Sequence, residues 1–441
     1  MKFLFLHQNM PGQFKHLARI LAQDPANQVV FLTNPKPGVE IPNVHKVEYR
    51  IPRQSTRHGH YYLIGVEKGV LRGQEVWRVC RELRDAGFYP DVMVTHPGWG
   101  DALYLKDIYP KAALLNFFEF YYNSNGNDRN FVYEEAHSLD DMTRIRTKNI
   151  INHLSLESAD WGLSPTFWQK IQHPQVYWPS ISVIHDGIDT DAIRPATRRE
   201  PLTLPNGRVI GPDVPLVTYV SRNFEPYRGF NVVMRGLKHV LDARPDCQII
   251  VIGADGVSYG RQPKGQLTYR QMMLQELKPD LSRLHFTGPL PYGPFIEALR
   301  RSDVHIYFTV PFVLSWSMME SMAAGCALIA SNTAPVREVV RDGYNGLLTD
   351  FYDDAALADK ISLVLDDPKA FATMRQNARQ TIEQHYSLNK LMPLYLNLIQ
   401  EMGHTHGAPE VAARALEAFN KEHYAGVQEA LIASTQKQIG E

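Results

Sequence analysis

Short apolar runs recur along the chain, each flanked by polar or turn-forming residues. Five occur before residue 166, "FLFLHQN", "QVVFLTN", "DVMVTHP", "AALLNFF" and "ADWGLSP". Five more follow residue 214, "PLVTYVSR", "CQIIVIG", "LHFTGPL", "VHIYFTV" and "CALIASN". Runs of this length without polar alternation predict strands covered on both faces, and helical periodicity between them predicts parallel sheets. The pattern therefore implies an α/β fold repeated as two domains. In open α/β sheets ligands bind beyond the carboxyl ends of the strands, so residues just after strands are the functional candidates.

The periodicity breaks in "RPATRREPLTLPNGRVIGPDVP", residues 194–215, where prolines, glycines and charges dominate. That break predicts a first domain over 1–194, a linker over 195–215 and a second domain over 216–385. Residues 386–441 read as helices that cross back to the first domain, although a partner helix or a dimer contact fits the same pattern. "DAALADKISLVLDD" has a clear helical apolar stripe, and two amphipathic patterns follow the Gly/His-rich turn near residue 405.

At 441 residues the chain is long enough for two cores. Its 46 Lys plus Arg balance 47 Asp plus Glu, which gives no bulk electrostatic reason to expect a nucleic-acid partner. Cys80, Cys247 and Cys326 are far apart and have no metal-ligand spacing, so they suit a reducing compartment. The first apolar run ends at His7, too early for a signal peptide, and no run of about eighteen apolar residues predicts a membrane span. Seven arginines between Arg50 and Arg84, interspersed with Tyr49, Tyr61, Tyr62 and Trp77, suit either an anionic surface or an ordinary solvated helix face. The expected location is cytoplasmic, with peripheral contact at the inner face of the membrane left open. Nothing in the sequence sets an oligomeric state.

The segment "PFVLSWSMMESMAAG", residues 311–325, places Glu320 near the start of a predicted helix. A carboxylate is costly to bury there without a partner, so it either caps the helix or faces polar ligand groups. In "VSRNFEPYRGF", Arg222 and Arg228 flank one post-strand loop. Two guanidinium groups around a loop suit a diphosphate.

These two segments resemble the family 4 glycosyltransferases, retaining enzymes of GT-B architecture with two Rossmann-like parallel-sheet domains facing a cleft. The resemblance runs to about residue 400 and is strongest over 216–350. It implies that Arg222 and Arg228 neutralise the departing diphosphate of a UDP- or GDP-linked sugar, and that Glu320 binds the nucleotide ribose. The family carries a lysine where Arg228 stands. It also carries a glutamate where Phe312 stands, so this chain lacks the usual acceptor for a donor-sugar hydroxyl. Ser315 and Ser317 are candidates for donor contact or for helix capping. Gly253 and Leu290, in post-strand loops, are further donor-side candidates.

In the first domain the resemblance points to the turn "HQNMPGQF", where Gly12 and the Gln13 amide would approach the donor phosphate. His96 in "THPGWGD" and Glu119 in "NFFEFYY" are the polar candidates near the reacting sugar or acceptor, and Tyr121 and Tyr122 could stack on a sugar face. "VIHDGIDTD" resembles the family's interdomain signature, with Asp186, Gly187 and Asp189 as structural residues. The implied reaction transfers a sugar from a nucleoside-diphosphate donor to a glycan or lipid-linked hydroxyl in cell-surface polysaccharide assembly. It needs no prosthetic group and no metal. A binding or assembly subunit, a GT-B sugar-nucleotide epimerase and a phosphorylase are the competing readings; the last requires a pyridoxal-bearing lysine that cannot be nominated.

Overall fold

The computed structural model describes residues 1–36, 38–56, 59–124, 128, 131, 138–263, 265–424 and 427–440. Ten of the strands observed coincide with the ten apolar runs. Among the described residues, those up to Asp128, those from 138 to 187 and those from Asn389 onward form one compact unit, and Ile188–Leu388 form the other.

The first unit holds a seven-stranded, fully parallel sheet of β1 (Lys2–Leu6), β2 (Gln28–Thr33), β3 (Val44–Glu48), β4 (Val92–Thr95), β5 (Ala113–Phe117), β6 (Trp161–Ser164) and β7 (Ile181–Val183). Its order is β3-β2-β1-β4-β5-β6-β7. Strands β1, β4 and β5 are apolar on both faces because helices cover both. Leu4, Leu6, Met93 and Leu114 pack with Val76 and Cys80 of the helix Ile64–Asp85, and all six are buried. The chain order reverses between β1 and β4, which pair in register from Phe3 with Val92 to Leu6 with Thr95. The residues that follow those two strands therefore flank the crevice where such sheets hold ligands.

The second unit has β8 (Leu202–Thr203) and β9 (Val209–Ile210) as a small antiparallel hairpin, then a six-stranded parallel sheet. That sheet comprises β10 (Leu216–Asn223), β11 (Gln248–Ala254), β12 (Leu284–Gly288), β13 (Val304–Tyr307), β14 (Ala327–Ser331) and β15 (Leu347–Thr349), in the order β12-β11-β10-β13-β14-β15. Its switch point lies between β10 and β13. The helix Trp316–Ala323 is buried through Met318, Met319 and Met322 against Leu328, Val336 and Ile382.

Two boundaries differ from the expectation. The segment 195–215 is no free linker: Leu204 and Ile210 of the hairpin are buried against Leu216, Ile250 and Ala298, so burial of apolar area ties it to the second sheet. The second unit accordingly begins at Ile188 rather than near residue 216. Ile188 is already fixed there, its amide donating to the Tyr386 carbonyl at 2.8 Å. Residues from 389 onward, the helices Leu388–Thr405, Glu410–Tyr424 and Gln428–Gly440, group with the first unit. No helix among the described residues is long and apolar enough to cross a membrane.

The arginines of the helix Ile64–Asp85 and of the segment before it lie largely in local pairs. Arg78 bonds Glu75, Arg53 reaches Glu67 at 2.9 Å, and Arg81 lies over the Trp77 ring at 5.3 Å. Such exposed pairs contribute little to stability, as on an ordinary solvated face.

Candidate functional site

At the switch point of the second sheet the loop after β10 folds into a single turn, Pro226–Arg228, and then enters the helix Phe230–Ala243. Arg228 is buried there, 8% exposed. Its Nη1 donates to the Tyr307 hydroxyl at 3.1 Å, to Thr309 Oγ1 at 2.8 Å and to the Val313 carbonyl at 3.0 Å. All three acceptors are neutral, and among the described residues no carboxylate pairs with this guanidinium. A buried cation with only neutral partners is an expensive arrangement that an anion would complete. Arg222, by contrast, is exposed at the end of β10, where the pairing with β11 slips between Val220 and Asn223.

The nearest acidic residue in sequence, Glu225, is committed elsewhere. It is 1% exposed and accepts the backbone amides of Ser258, Tyr259 and Gly260 at 3.0, 3.1 and 2.8 Å. The loop that it holds brings the Tyr259 ring to 4.8 Å from Phe312 and 5.5 Å from the Arg228 guanidinium. Phe312 is itself buried, 5.7 Å from that guanidinium and 5.5 Å from Tyr227. Arg228 therefore sits among aromatic faces, which favour a cation without neutralising it. Sequence reasoning missed Glu225 because its partners lie more than thirty residues away.

Ser315 is the N-cap of the helix Trp316–Ala323, its hydroxyl accepting the Ser317 amide at 3.4 Å and lying 3.0 Å from the Ser317 hydroxyl. One turn on, Glu320 is 7% exposed and accepts the Tyr292 hydroxyl at 2.9 Å. Burial, and then the Glu320 charge, push the Tyr292 phenol above its ordinary value, so Tyr292 stays a donor at neutral pH. Tyr292 opens the helix that follows Leu290 and Pro291. Leu290 packs with Leu204 and Ile250 of the hairpin-covered core. Gly253, at φ +153°, lies so close to β10 that an added Cβ would fall 2.0 Å from the Ser221 carbonyl oxygen, a demand of strand packing.

The first sheet carries a second constellation at its own switch point. His7 follows β1 and His96 follows β4; both are 4% exposed, with rings 5.2 Å apart and at a steep angle. Trp99 stacks on His96 at 4.2 Å. Glu119, just past β5, faces His96 Nε2 at 3.3 Å through Oε2 and accepts Gln13 Nε2 at 2.9 Å through Oε1. Burial alone would raise the Glu119 carboxyl, but the His96 hydrogen bond and the His96, His7 and Gln13 contacts hold it below the ordinary value. Burial, reinforced by His96, lowers His7 to about 3, so it is a neutral imidazole at physiological pH. The structure thus brings together Gly12, Gln13, His96 and Glu119. His7, which in the sequence only ends an apolar run, was the missing member. Asp101 lies outside the set, accepting the Tyr49 hydroxyl in the core.

Gly12 makes this packing possible. Its φ is +52°, and a Cβ there would fall 2.6 Å from the His7 ring. Gly12→Ala is expected to cost about 1–3 kcal/mol through the left-handed backbone and the displaced imidazole. Urea unfolding at pH 7.5 measures it, and an unchanged midpoint would refute the contact.

Among the described residues no group of three His, Cys, Asp or Glu side chains is placed to hold a metal ion. Residues 25–193 match the model of the glycosyl transferase family 4 group, and residues 206–381 match that of the glycosyl transferases group 1. A D-inositol 3-phosphate glycosyltransferase of Corynebacterium efficiens is 29% identical over 202 residues, 45% of this chain and 46% of that protein. A phosphatidyl-myo-inositol mannosyltransferase of Mycobacterium leprae is 28% identical over 153 residues, 34% of this chain and 37% of that one. The chain spans about half the length, or less, of these relatives. Among solved structures, a sucrose-phosphate synthase from Thermosynechococcus elongatus superposes with a TM-score of 0.66 at 16% identity, covering 92% of this chain and all of the other. Anabaena HepE in complex with UDP and glucose gives 0.63 at 14% identity, covering 91% of this chain and 100% of HepE. By these matches and by its pair of parallel sheets, the chain belongs to the family 4 glycosyltransferases, with the two Rossmann-like domains of the GT-B architecture.

Proposed function

We propose that the protein is a retaining glycosyltransferase that moves a sugar from a nucleoside-diphosphate donor to a hydroxyl of a glycan or lipid-linked acceptor, in cell-surface polysaccharide assembly at the cytoplasmic face of the membrane. The observation that carries this reading is Arg228, a buried guanidinium at a sheet switch point with neutral partners only. A donor diphosphate supplies the missing negative charge. As the anomeric C–O bond breaks, charge grows on the leaving phosphate oxygen, and a preorganised cation is worth most there. The acceptor oxygen enters on the face the phosphate leaves, and its proton passes to the departing phosphate oxygen. Glu320 binds the ribose diol through the carboxylate that Tyr292 orients. UDP is the nucleotide of the HepE complex, whereas a related Corynebacterium glutamicum mannosyltransferase is GDP-mannose-dependent; both donors are therefore candidates.

Calorimetric titration with UDP, GDP, ADP, CMP and TDP, first without and then with magnesium, tests the reading. Selective binding of one diphosphate supports it, and binding of none refutes it. Glu320→Gln is expected to weaken the diphosphate that binds by about 1–3 kcal/mol. An unchanged affinity would remove Glu320 from the ribose site.

One observation favours a second reading. His7, His96 and Glu119 converge as acid and base groups, which a GT-B sugar-nucleotide epimerase requires. Incubation with donor alone separates the two, because an epimerase changes the sugar while keeping it on the nucleotide.

A further inference from the structure

Within the first unit, a cavity of about 310 Å³ opens between the residues after β5, the segment from Ile171 to Trp178 and the last helix. Among the described residues, its lining carries no carboxylate, lysine or arginine. Tyr121 and Trp178 contribute aromatic surface, Asn123, Gln172 and Gln175 contribute amides, and Ile432 and Thr435 of the helix Gln428–Gly440 close one side. His173 completes the lining and is 3% exposed. Its Nδ1 lies 3.0 Å from the Gln169 carbonyl, which only accepts, so Nδ1 carries the hydrogen and Nε2 is left as an acceptor. Nε2 has no hydrogen-bond partner among the described residues, and Gln175 is exposed on the cavity wall.

Aromatic surface beside neutral amides and a bare imidazole acceptor matches a pyranose, with its apolar C–H faces and ring of hydroxyls. Ions fit poorly, since no opposite charge awaits them among the described residues. At about 310 Å³ the space lies at the low end of the ~300–1,000 Å³ of small-molecule sites, room for one sugar unit rather than a chain. The cavity is also tied to the first constellation. Gln169 donates its side-chain amide to the Glu119 carbonyl at 2.5 Å, while its own carbonyl holds His173, and Tyr121 follows Glu119 by two residues.

We propose that this cavity is a subsite for one neutral sugar unit of the acceptor, with His173 and Gln175 receiving its hydroxyls. The acceptor assignment rests on the transferase reading, whereas sugar binding in the cavity does not.

The test uses the full chain and ligand-observed NMR with the methyl glycosides of glucose, mannose, galactose and N-acetylglucosamine, alongside UDP and GDP titrations. At least one glycoside is expected to bind, and its glucuronide or 6-phosphate counterpart to bind about tenfold more weakly or worse. Gln175→Trp, at an exposed position on the cavity wall, and His173→Phe, which keeps the ring and loses both nitrogens, should each weaken the glycoside by at least about tenfold and leave nucleotide affinity unchanged. No glycoside binding by the natural protein, or undiminished binding by Gln175→Trp, overturns the subsite whatever the nucleotides do. Glycoside binding without any nucleotide binding would overturn the transferase reading and leave a sugar site standing.

Discussion

Replacing Arg228 with lysine is expected to lower turnover by about 10²-fold, and replacing it with methionine by about 10³-fold, the range found when one preorganised charge-stabilising donor is removed. Lysine keeps the charge but cannot reproduce one planar nitrogen shared among the Tyr307 hydroxyl, Thr309 Oγ1 and the Val313 carbonyl. Its ammonium would move toward whichever oxygen it reached, so the charge would persist with the wrong direction. Methionine removes the charge and leaves those three acceptors without their donor, for which a stability loss of about 1–3 kcal/mol is expected as well. Two measurements keep the effects apart: turnover per folded molecule well below every variant's unfolding temperature, and nucleotide affinity by calorimetry. If Arg228→Lys lowers the melting temperature yet keeps full turnover per folded molecule, Arg228 is a structural post and the diphosphate lies elsewhere. If affinity and turnover fall together, the charge acts already in the bound donor. A fall in turnover alone places its effect in the departing phosphate.

The physical reasons why the fold was legible are local. Ten strands announced themselves because burial on both faces writes an unbroken apolar run. The missed strands lack that signature: "VHKVE" at the edge alternates with polar residues, and "ISV" and "LLT" are only three residues long. The hairpin over 202–210 reads as a linker because its four apolar residues are interrupted by Pro205, Asn206 and Gly207. Among the site candidates, Arg228, His96 and Glu119 can be nominated from their places after strands, and Glu320 from its place near a helix start. Tyr292, which meets Glu320 across 28 residues, and Glu225, which holds a loop 33 to 35 residues on, acquire their roles from contacts that no spacing in the chain specifies. His7 escaped for a different reason. Its ring is buried, so the apolar run simply continues through it. The position of the run's end, one residue past β1, was the available signal.

That burial has a second consequence, which sets how the protein responds to acid. Stability is expected to fall steeply below pH 6.5, before carboxylates begin to titrate. Burial lowers His7 to about 3, with the His96 charge adding to it; burial lowers His173 to about 4 and His305 to about 3. In the unfolded chain each would titrate near 6.5. Between those values the unfolded chain binds protons that the native state excludes, so stability rises with pH through this window and is lost as pH drops through 6.5 toward 4. Each such histidine contributes a slope of about 1.4 kcal/mol per pH unit once well below 6.5. His7 and His173 lie in the first unit and His305 in the second, so both should weaken, the first more steeply. His185 and His285, also lowered by burial, act in the same sense. Carboxylates held low in the native state, Asp280 at about 2 among them, act in that sense too, but only below about pH 4.5, which leaves pH 6.5 to 5 to the histidines. Urea unfolding at pH 7.5, 6.5, 5.8 and 5.0 measures the slope. His305→Asn isolates one contribution: its ring bonds Thr218 Oγ1 at 2.9 Å through Nδ1 and leaves Nε2 buried without a partner. Asparagine can keep a hydrogen bond to Thr218 and cannot titrate, so the slope for the second unit should drop by about 1.4 kcal/mol per pH unit. A flat stability profile between pH 6.5 and 5 would mean that these imidazoles take up protons in the folded protein. Their rings would then have to reach water, although all three are buried.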